Sequence, residues 1–205
     1  MKFLSFVVPP LENNNYLLID ENSKEAALVD CSSFSSEILE ALEENDATLK
    51  YILLTHAHFD HVLGVEETVE KTGAKVVLHK DDAGLLEKLN SYTFMMGMPS
   101  VNVPQVDILV NDGDKIKLGG EDIIVLHTPG HTKGGCSYYV MGRLYSGDTL
   151  FEESIGRTDL EGGDFKTLKQ SIENKIYTLP DETPVYPGHG GSTTVGHEKE
   201  FNSYI

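Results

Sequence analysis

Three histidines and one aspartate fall within six residues of this chain, in the run His56-Ala57-His58-Phe59-Asp60-His61. Histidine and aspartate are seldom fully buried without partners, so ordinary core packing does not explain this density. Imidazole and carboxylate groups are ligands for Zn²⁺ and similar borderline metals. A tight loop can aim His56 and His58 to one side and Asp60 and His61 to another. The run therefore predicts two neighbouring metal positions.

Three further donors lie beside glycines later in the chain, at His131, Asp148 and His189. Glycine permits sharp turns and close approach of the backbone. Each of these motifs taken alone would indicate only a turn. The combined assignment places His56, His58 and His131 at one metal position, Asp60, His61 and His189 at a second, and Asp148 as a bridge between them. We therefore expect two divalent cations per chain, with Zn²⁺ as the first expectation and Fe²⁺ or Mn²⁺ as alternatives.

The elements that must carry these loops are strands and helices that alternate along the chain. Extended runs predict strands, and polar residues 12–15 and 21–24 predict turns between the first three. The predicted strands are residues 1–8, 15–20, 26–30, 49–54, 75–78, 106–110, 115–118, 122–127, 136–140, 143–145 and 184–186. Helical spacing predicts three helices. The first begins at about Ser36, the second runs from Val62 and ends at Gly73, and the third follows an N-cap at Asp164. Sheet material in both halves, interleaved with helices, predicts an α/β fold of two sheets covered outside by helices.

Composition restricts the class of protein. The chain has 205 residues, a formal net charge of −17 and 40% hydrophobic residues, which favours one folded domain over residues 1–205 rather than a disordered chain. No cluster of Lys and Arg is present to bind nucleic acid, and no apolar run is long enough to span a membrane. The two cysteines, Cys31 and Cys136, form no redox motif and are expected to be buried apolar residues. These features favour a cytoplasmic protein that acts on a small molecule, and they leave its oligomeric state open.

The motif series identifies a resemblance that covers nearly the whole chain. Thr-His-x-His-x-Asp-His, Thr-Pro-Gly-His-Thr, Gly-Asp-Thr-Leu-Phe and Pro-Gly-His-Gly occur in this order, and together they resemble the metallo-β-lactamase superfamily. Gly-Arg-Thr-Asp-Leu at 156–160 and Tyr-Pro-Gly-His-Gly at 186–190 are similar to its hydroxyacylglutathione hydrolase (glyoxalase II) branch, in the short single-domain bacterial type.

This resemblance implies a four-layer αβ/βα sandwich with a dinuclear metal site at one edge. It also implies ligand roles for the seven residues assigned above, with Asp60 and Asp148 as the catalytic carboxylates. The implied reaction is hydrolysis of thioesters of the S-lactoylglutathione type by a hydroxide held between the two metals.

Two departures from that branch concern recognition of the thiol carrier. The longer enzymes have a C-terminal glutathione-binding helical domain, which is not expected here, and the Tyr that follows their last His motif is replaced by Gly190-Gly191-Ser192. Arg157 corresponds to a basic residue of those enzymes. It either binds a substrate carboxylate or forms a salt bridge within its own loop.

Other members of the superfamily fit the motifs to different degrees. Persulfide dioxygenases share the first motif but hold one iron and have Ala in place of Gly188. Lactonases are an alternative because an ester carbonyl makes much the same demand on the metals as a thioester carbonyl. Flavodiiron proteins have Glu where His58 stands and β-lactamases have Cys where Asp148 stands, so both are disfavoured. RNA-processing relatives need a basic surface, which a charge of −17 does not favour. A binding module held together by metal is a further alternative, and activity on thioesters would distinguish it.

Residues 85–104 contain Tyr92, Phe94, Met95, Met96 and Met98 and have two interpretations. They form a pocket wall, or they pack their apolar side onto the core. The methionines favour packing, because methionine commonly fills irregular gaps in cores. His79, His127 and His197 lack a comparable motif and are expected to be structural or exposed to solvent.

Overall fold

Two six-stranded sheets form the centre of the computed structural model, which describes residues 1–205. The first sheet has the strand order β1-β2-β3-β4-β5-β6, with β3 to β6 parallel and the first three strands antiparallel. Its strands are β1 (Lys2–Val8), β2 (Asn13–Ile19), β3 (Glu25–Val29), β4 (Thr48–Leu53), β5 (Lys75–His79) and β6 (Ile108–Val110).

The second sheet has the order β14-β13-β10-β9-β8-β7, and only β10 and β13 pair in parallel. Its strands are β7 (Lys115–Leu118), β8 (Glu121–His127), β9 (Cys136–Val140), β10 (Arg143–Gly147), β13 (Pro184–Pro187) and β14 (Thr193–Thr194). A two-stranded hairpin of β11 (Leu150–Phe151) and β12 (Ser154–Ile155) follows β10.

Helices cover the outer face of each sheet. They are α1 (Ser36–Glu44), α2 (Phe59–Val62), α3 (Val65–Thr72), α4 (Ala83–Leu86), α5 (Leu89–Met95), α6 (Phe165–Ser171) and α7 (Val195–Phe201), with a 3₁₀ turn at Lys80–Asp82 and a π-helical turn at Ile172–Ile176 after α6. The Asp164 side chain accepts a hydrogen bond from the Thr167 backbone, so α6 begins at the predicted cap. None of the helices is both long enough and apolar enough to cross a bilayer.

The core has three apolar layers because successive strand residues point to opposite faces. In β2, Leu18 faces the layer between the sheets, where it joins Val77 and Tyr138. Leu17 on the other face packs with the helices that cover the first sheet. A third layer lies between the second sheet and α6, around Leu144 and Ile172. This arrangement confirms the predicted αβ/βα sandwich.

Two local predictions are wrong. The sequence predicts a polar turn at Asn13, Asn14 and Asn15, but these residues begin β2 and are buried. Their side-chain NH₂ groups contact residues that are distant in sequence, which no local pattern reveals. The predicted continuous helix from Val62 to Gly73 is divided into α2 and α3, because the Gly64 N–H donates to the Cys31 carbonyl at 2.9 Å instead of to a carbonyl one turn earlier in the helix.

The loops that carry the predicted ligands meet at one edge of the sandwich. The parallel strands β10 and β13 end side by side, so Asp148 and His189 follow neighbouring strands. The Cys136 N–H donates to the Thr55 carbonyl at 2.8 Å, which joins the start of β9 to the loop after β4. The topology therefore brings together segments that are distant in sequence.

Candidate metal centre

Three histidines form the first position of the site. The Nδ1 atom of His58 lies 2.9 Å from Nε2 of His131, and the three rings of His56, His58 and His131 are mutually edge-on with centroids 4.6 to 4.8 Å apart. All three residues are buried. One nitrogen from each ring converges on a common point, as the sequence predicts for this set.

Asp60, His61 and His189 form the second position. Oδ2 of Asp60 lies 3.6 Å from Nε2 of His61 and 3.4 Å from Nε2 of His189. Asp60 and His61 come from α2, immediately after the first two histidines, whereas His189 comes from the loop after β13. The predicted second set is therefore also brought together.

Asp148 lies between the two positions. Its Oδ1 is 3.4 Å from Nε2 of His61, and its Oδ2 is 3.6 Å from Nε2 of His131. Its Oδ2 also lies 3.8 Å from Nε2 of His189, so the carboxylate stands within 4 Å of donors from both groups. This is the placement that a bridging carboxylate requires, and its role as a ligand stays a prediction.

Acceptors on the far side of the rings orient four of the five histidines. Nδ1 of His61 lies 2.9 Å from Asp30 Oδ2, and Nδ1 of His131 lies 2.7 Å from the Arg157 carbonyl. His56 and His189 make the corresponding contacts with Thr55 Oγ1 and the Leu11 carbonyl at 3.1 and 3.2 Å. Carboxylate and carbonyl oxygens can only accept, and the Thr55 hydroxyl already donates to Asp30. Nδ1 therefore carries the hydrogen in each ring, and Nε2 is the ring nitrogen directed toward the centre.

The electrostatics differ between the two positions. Burial, reinforced by the neighbouring imidazoles, lowers the pKa of His56 well below its ordinary value and that of His58 to about 3. Burial opposes charge on His61 as well, but the carboxylates of Asp148 and Asp30 raise its pKa to about 10. His56 and His58 are therefore neutral nitrogen donors, and His61 at the second position is surrounded by negative charge.

The residues fit a pair of divalent cations. His56 Nε2 and Asp148 Oδ1 are buried and have no hydrogen-bond partner, although unpaired buried polar atoms are rare in folded proteins. Both atoms point into the cluster where a cation would use their lone pairs. Nitrogen and carboxylate oxygen donors of this kind suit Zn²⁺, Fe²⁺ and Mn²⁺.

Two buried aspartates support the site, and no spacing motif in the sequence marks either of them. Asp30 accepts from both the N–H and the hydroxyl of Thr55 at 2.8 Å, as well as from His61. Asp82 accepts from Ala57 N–H, Thr132 Oγ1 and Gly134 N–H at 3.0, 2.8 and 2.6 Å. Each follows the end of a strand by one to three residues, which is the one local signal that both share.

Arg157 forms the salt bridge that is one of its two predicted roles. Its Nε and Nη2 each lie 2.8 Å from an oxygen of Asp159, and both side chains are largely exposed. The backbone carbonyl of Arg157 orients His131. Binding of a substrate carboxylate by its guanidinium stays a prediction.

The favoured interpretation of residues 85–104 is wrong for part of the segment. Leu89 of α5 is buried in the core, but Phe94, Met95 and Met96 are 81%, 78% and 57% exposed. They lie at the end of a short helix with no further element over them. Tyr92 is placed beside the site instead, with its ring centroid 6.5 Å from that of His58.

The remaining histidines lie outside the two positions. His79 stacks on His127 with centroids 3.9 Å apart and nearly parallel rings, and burial lowers the pKa of His79. His197 pairs with Glu153 on the surface. These contacts agree with the structural or exposed roles expected for all three.

The chain belongs to the metallo-beta-lactamase superfamily, whose family model matches residues 9–189. Among its relatives is a Bacillus subtilis protein named "Probable metallo-hydrolase YqgX", 36% identical over 100% of this chain and 98% of the relative. The hydroxyacylglutathione hydrolase GloC of Haemophilus influenzae is 34% identical over 93% of this chain and 92% of its own length. Membership of this superfamily and the histidine and aspartate donors of the two positions together indicate a metal-dependent hydrolase.

Solved structures give the same fold. The structure named BLEG-1 B3 metallo-beta-lactamase superposes with a TM-score of 0.91 at 37% identity, over 99% of both chains. TTHA1623 in a di-iron-bound form has a TM-score of 0.87 at 35% identity, over 98% of this chain and 100% of that one. ETHE1 from Myxococcus xanthus has a TM-score of 0.81 at 31% identity, over 99% of this chain and 84% of that one.

The geometry predicts two metal ions per chain. The seven donors divide into two groups around Asp148, whereas a single site of this kind usually has about four ligands. Elemental analysis of protein purified without chelator is therefore expected to give a metal to protein ratio near two. A ratio of one in fully active protein would contradict the prediction.

The backbone of Gly188 packs directly against two of the predicted metal ligands. A Cβ at this residue would lie 2.4 Å from Asp148 Oδ1 and 2.8 Å from His61 Cε1. We expect Gly188→Ala to displace both side chains and to weaken metal binding at the second position by roughly 10- to 100-fold, as loss of ligand support does in other metal sites.

Gly191→Ala is the matched control for that substitution, because its Cβ would meet only Glu152 Oε2, at 3.3 Å. The zinc affinity of each position in both variants is measured by titration in competition with a chromophoric chelator. Two equally tight metals in Gly188→Ala would show that the close packing at this glycine has no bearing on the centre.

Proposed function

We propose that this protein hydrolyses thioesters of the S-lactoylglutathione type at a dinuclear metal centre. The observation that carries the proposal is the placement of Asp148, whose carboxylate lies within 4 Å of donors from both groups. Two-metal sites suit hydrolysis because both the attacking and the leaving groups can be stabilised. The similarity to GloC, which is named a hydroxyacylglutathione hydrolase, supports the choice of substrate.

Two divalent cations bound here would lower the pKa of a water molecule and polarise the thioester carbonyl. The protein's own part is to orient that water. Burial opposes charge on Asp60, but the hydrogen bond with His189 and the charge of His61 hold its pKa below the usual range. Asp60 therefore stays a carboxylate and can accept a hydrogen bond from the water, while Asp148 supplies the second carboxylate on the same side.

Access to the centre is from the side of Asp60, Asp148 and His189. Their side chains are 10%, 12% and 28% exposed, whereas that of His61 is fully buried. The ring of Tyr92 stands next to His58, and the ring of Phe151 stands 6.3 Å from that of His189. A substrate carbonyl would thus approach the centre between the rings of Tyr92 and Phe151.

Arg157 is predicted to hold a carboxylate of the thiol carrier. Its pairing with Asp159 costs little to break, because ion pairs that are exposed to solvent contribute little to stability. A charged hydrogen bond to the substrate contributes roughly 1.5 to 3 kcal/mol, or about 10- to 100-fold in affinity. We expect Arg157→Ala to raise KM for S-lactoylglutathione by about that factor and to change kcat much less. A thioester whose thiol lacks a carboxylate is the control, and an equal effect on both substrates would assign Arg157 a purely structural role.

The test of the proposed function is hydrolysis under strict anaerobiosis with zinc as the only metal. We expect turnover of S-lactoylglutathione in these conditions, since water is the co-substrate. Oxygen uptake with glutathione persulfide and no cleavage of thioesters would instead support the dioxygenase alternative. The similarity to a protein solved in a di-iron-bound form makes the iron-loaded protein a necessary comparison.

Two further substrate classes belong in the same assay. Lactones test the ester hydrolase alternative. A β-lactam tests the activity implied by the name of the BLEG-1 neighbour, although Asp148 in place of Cys disfavours that activity here. Preferential opening of either ring would replace the thioester in the proposal, and no turnover of any substrate would favour a binding module.

A further inference from the structure

Asn13 is a fully buried side chain that lies among the donors of the second position. Its Nδ2 is 3.1 Å from Asp60 Oδ2, 3.1 Å from His61 Nε2 and 3.2 Å from His189 Nε2. These are the three atoms assigned to the second metal. The side-chain amide of Asn13 thus points at the place where those lone pairs converge.

The backbone around Asn13 is attached to the loop that carries His189. Asn13 and His189 form an isolated β-bridge, and the Asn14 N–H donates to the Gly188 carbonyl at 2.7 Å. The Asn14 side chain also donates to the carbonyls of Pro187 and Gly190 at 3.0 and 2.9 Å. The position of the amide relative to the site is therefore fixed by several contacts.

The oxygen of the Asn13 side-chain amide has no hydrogen-bond partner. Its NH₂ group lies within 3.2 Å of the three atoms that would hold the second metal, whereas its Oδ1 is buried with no partner. A cation held by Asp60, His61 and His189 would take the three lone pairs, and the NH₂ group would then face positive charge without an acceptor. A half-turn of the amide would exchange its nitrogen and oxygen and present a carbonyl oxygen to the cation.

We propose that Asn13 is a further oxygen donor of the second metal position, through Oδ1 of its side-chain amide. With metal, Oδ1 adds a neutral oxygen ligand of a type that Zn²⁺, Fe²⁺ and Mn²⁺ accept. This inference rests on the metal centre but not on the thioester substrate.

The experiment is a zinc titration of each position, in competition with a chromophoric chelator, on the full-length protein. Asn13→Ala is expected to weaken the second position by roughly 10- to 100-fold and to leave the first unchanged. Asn13→Asp supplies an oxygen at the same place and is expected to bind the second zinc at least as tightly as wild type. Asn15→Ala is the matched control, because Asn15 is equally buried on the same strand but contacts Ser32 rather than a predicted ligand.

Cobalt substitution gives a second readout that a merely structural role would not change. The visible spectrum of the Co²⁺-loaded second position reports its coordination, so it is expected to differ between wild type and Asn13→Ala and to be unaffected by Asn15→Ala. Unchanged affinity and spectrum in Asn13→Ala would overturn the proposal. If Asn13→Ala does not fold, the zinc affinity of Asn13→Asp tests the proposal. A second zinc that binds Asn13→Asp more weakly than wild type would show that an oxygen at this place is not a ligand. None of these readouts depends on which substrate the enzyme cleaves.

Discussion

Asp148→Ala is expected to remove metal and activity together. The carboxylate lies 3.4 Å from His61 Nε2 and 3.6 Å from His131 Nε2, so its loss removes the negative charge shared by both positions. Loss of residues that merely support a metal site costs roughly 10- to 100-fold, and loss of a bridging ligand is expected to exceed that range. Metal analysis and kcat/KM for S-lactoylglutathione, measured on the same preparation, test the prediction.

His127→Ala is the control for Asp148→Ala. His127 ends β8, and its ring contacts His79 and the Lys133 carbonyl rather than any predicted ligand. We expect this variant to keep both metals and nearly all activity. Equal activity in the two variants would refute the assignment of Asp148.

Asp82→Ala is expected to destabilise the protein and to weaken the first position. Asp82 is fully buried and ties the loop of His56 and His58 to the loop of His131 through three hydrogen bonds. Its removal leaves three donors without a partner, at about 1 to 3 kcal/mol each. A loss of about 3 kcal/mol lowers the Tm of a chain of this size by roughly 6 to 12 °C.

The neighbouring substitution Asp81→Ala separates this effect from a general change in the turn. The Asp81 side chain is 46% exposed and lies 3.8 Å from His79. Calorimetry is expected to show a nearly unchanged Tm for Asp81→Ala, and zinc titration is expected to show a weakened first position only in Asp82→Ala. Similar melting temperatures for the two variants would mean that the three hydrogen bonds do not carry the expected stability.

Most of the fold and the seven candidate ligands follow from local patterns in the sequence. The strands at 115–118 and 136–140 have the predicted bounds, because alternation and the flanking turn residues specify a strand locally. The run from His56 to His61 indicates a metal site by its density of donors alone. His131, Asp148 and His189 are added by their glycine-flanked motifs, and the fold places all of them around one centre.

The other residues that support this centre become recognisable only through tertiary contacts. Asn13 and Asp60 are 47 positions apart, Asp30 and His61 are 31 apart, and Asp82 and Gly134 are 52 apart. In the sequence, Asn13 resembles part of a turn, and the aspartates resemble ordinary residues at strand ends. Their roles depend on hydrogen bonds between loops that the pairing of strands distant in sequence, such as β3 with β4 and β10 with β13, brings into contact. A pattern along the chain reports local periodicity and composition, whereas a hydrogen bond depends on the distance between two atoms in the folded protein.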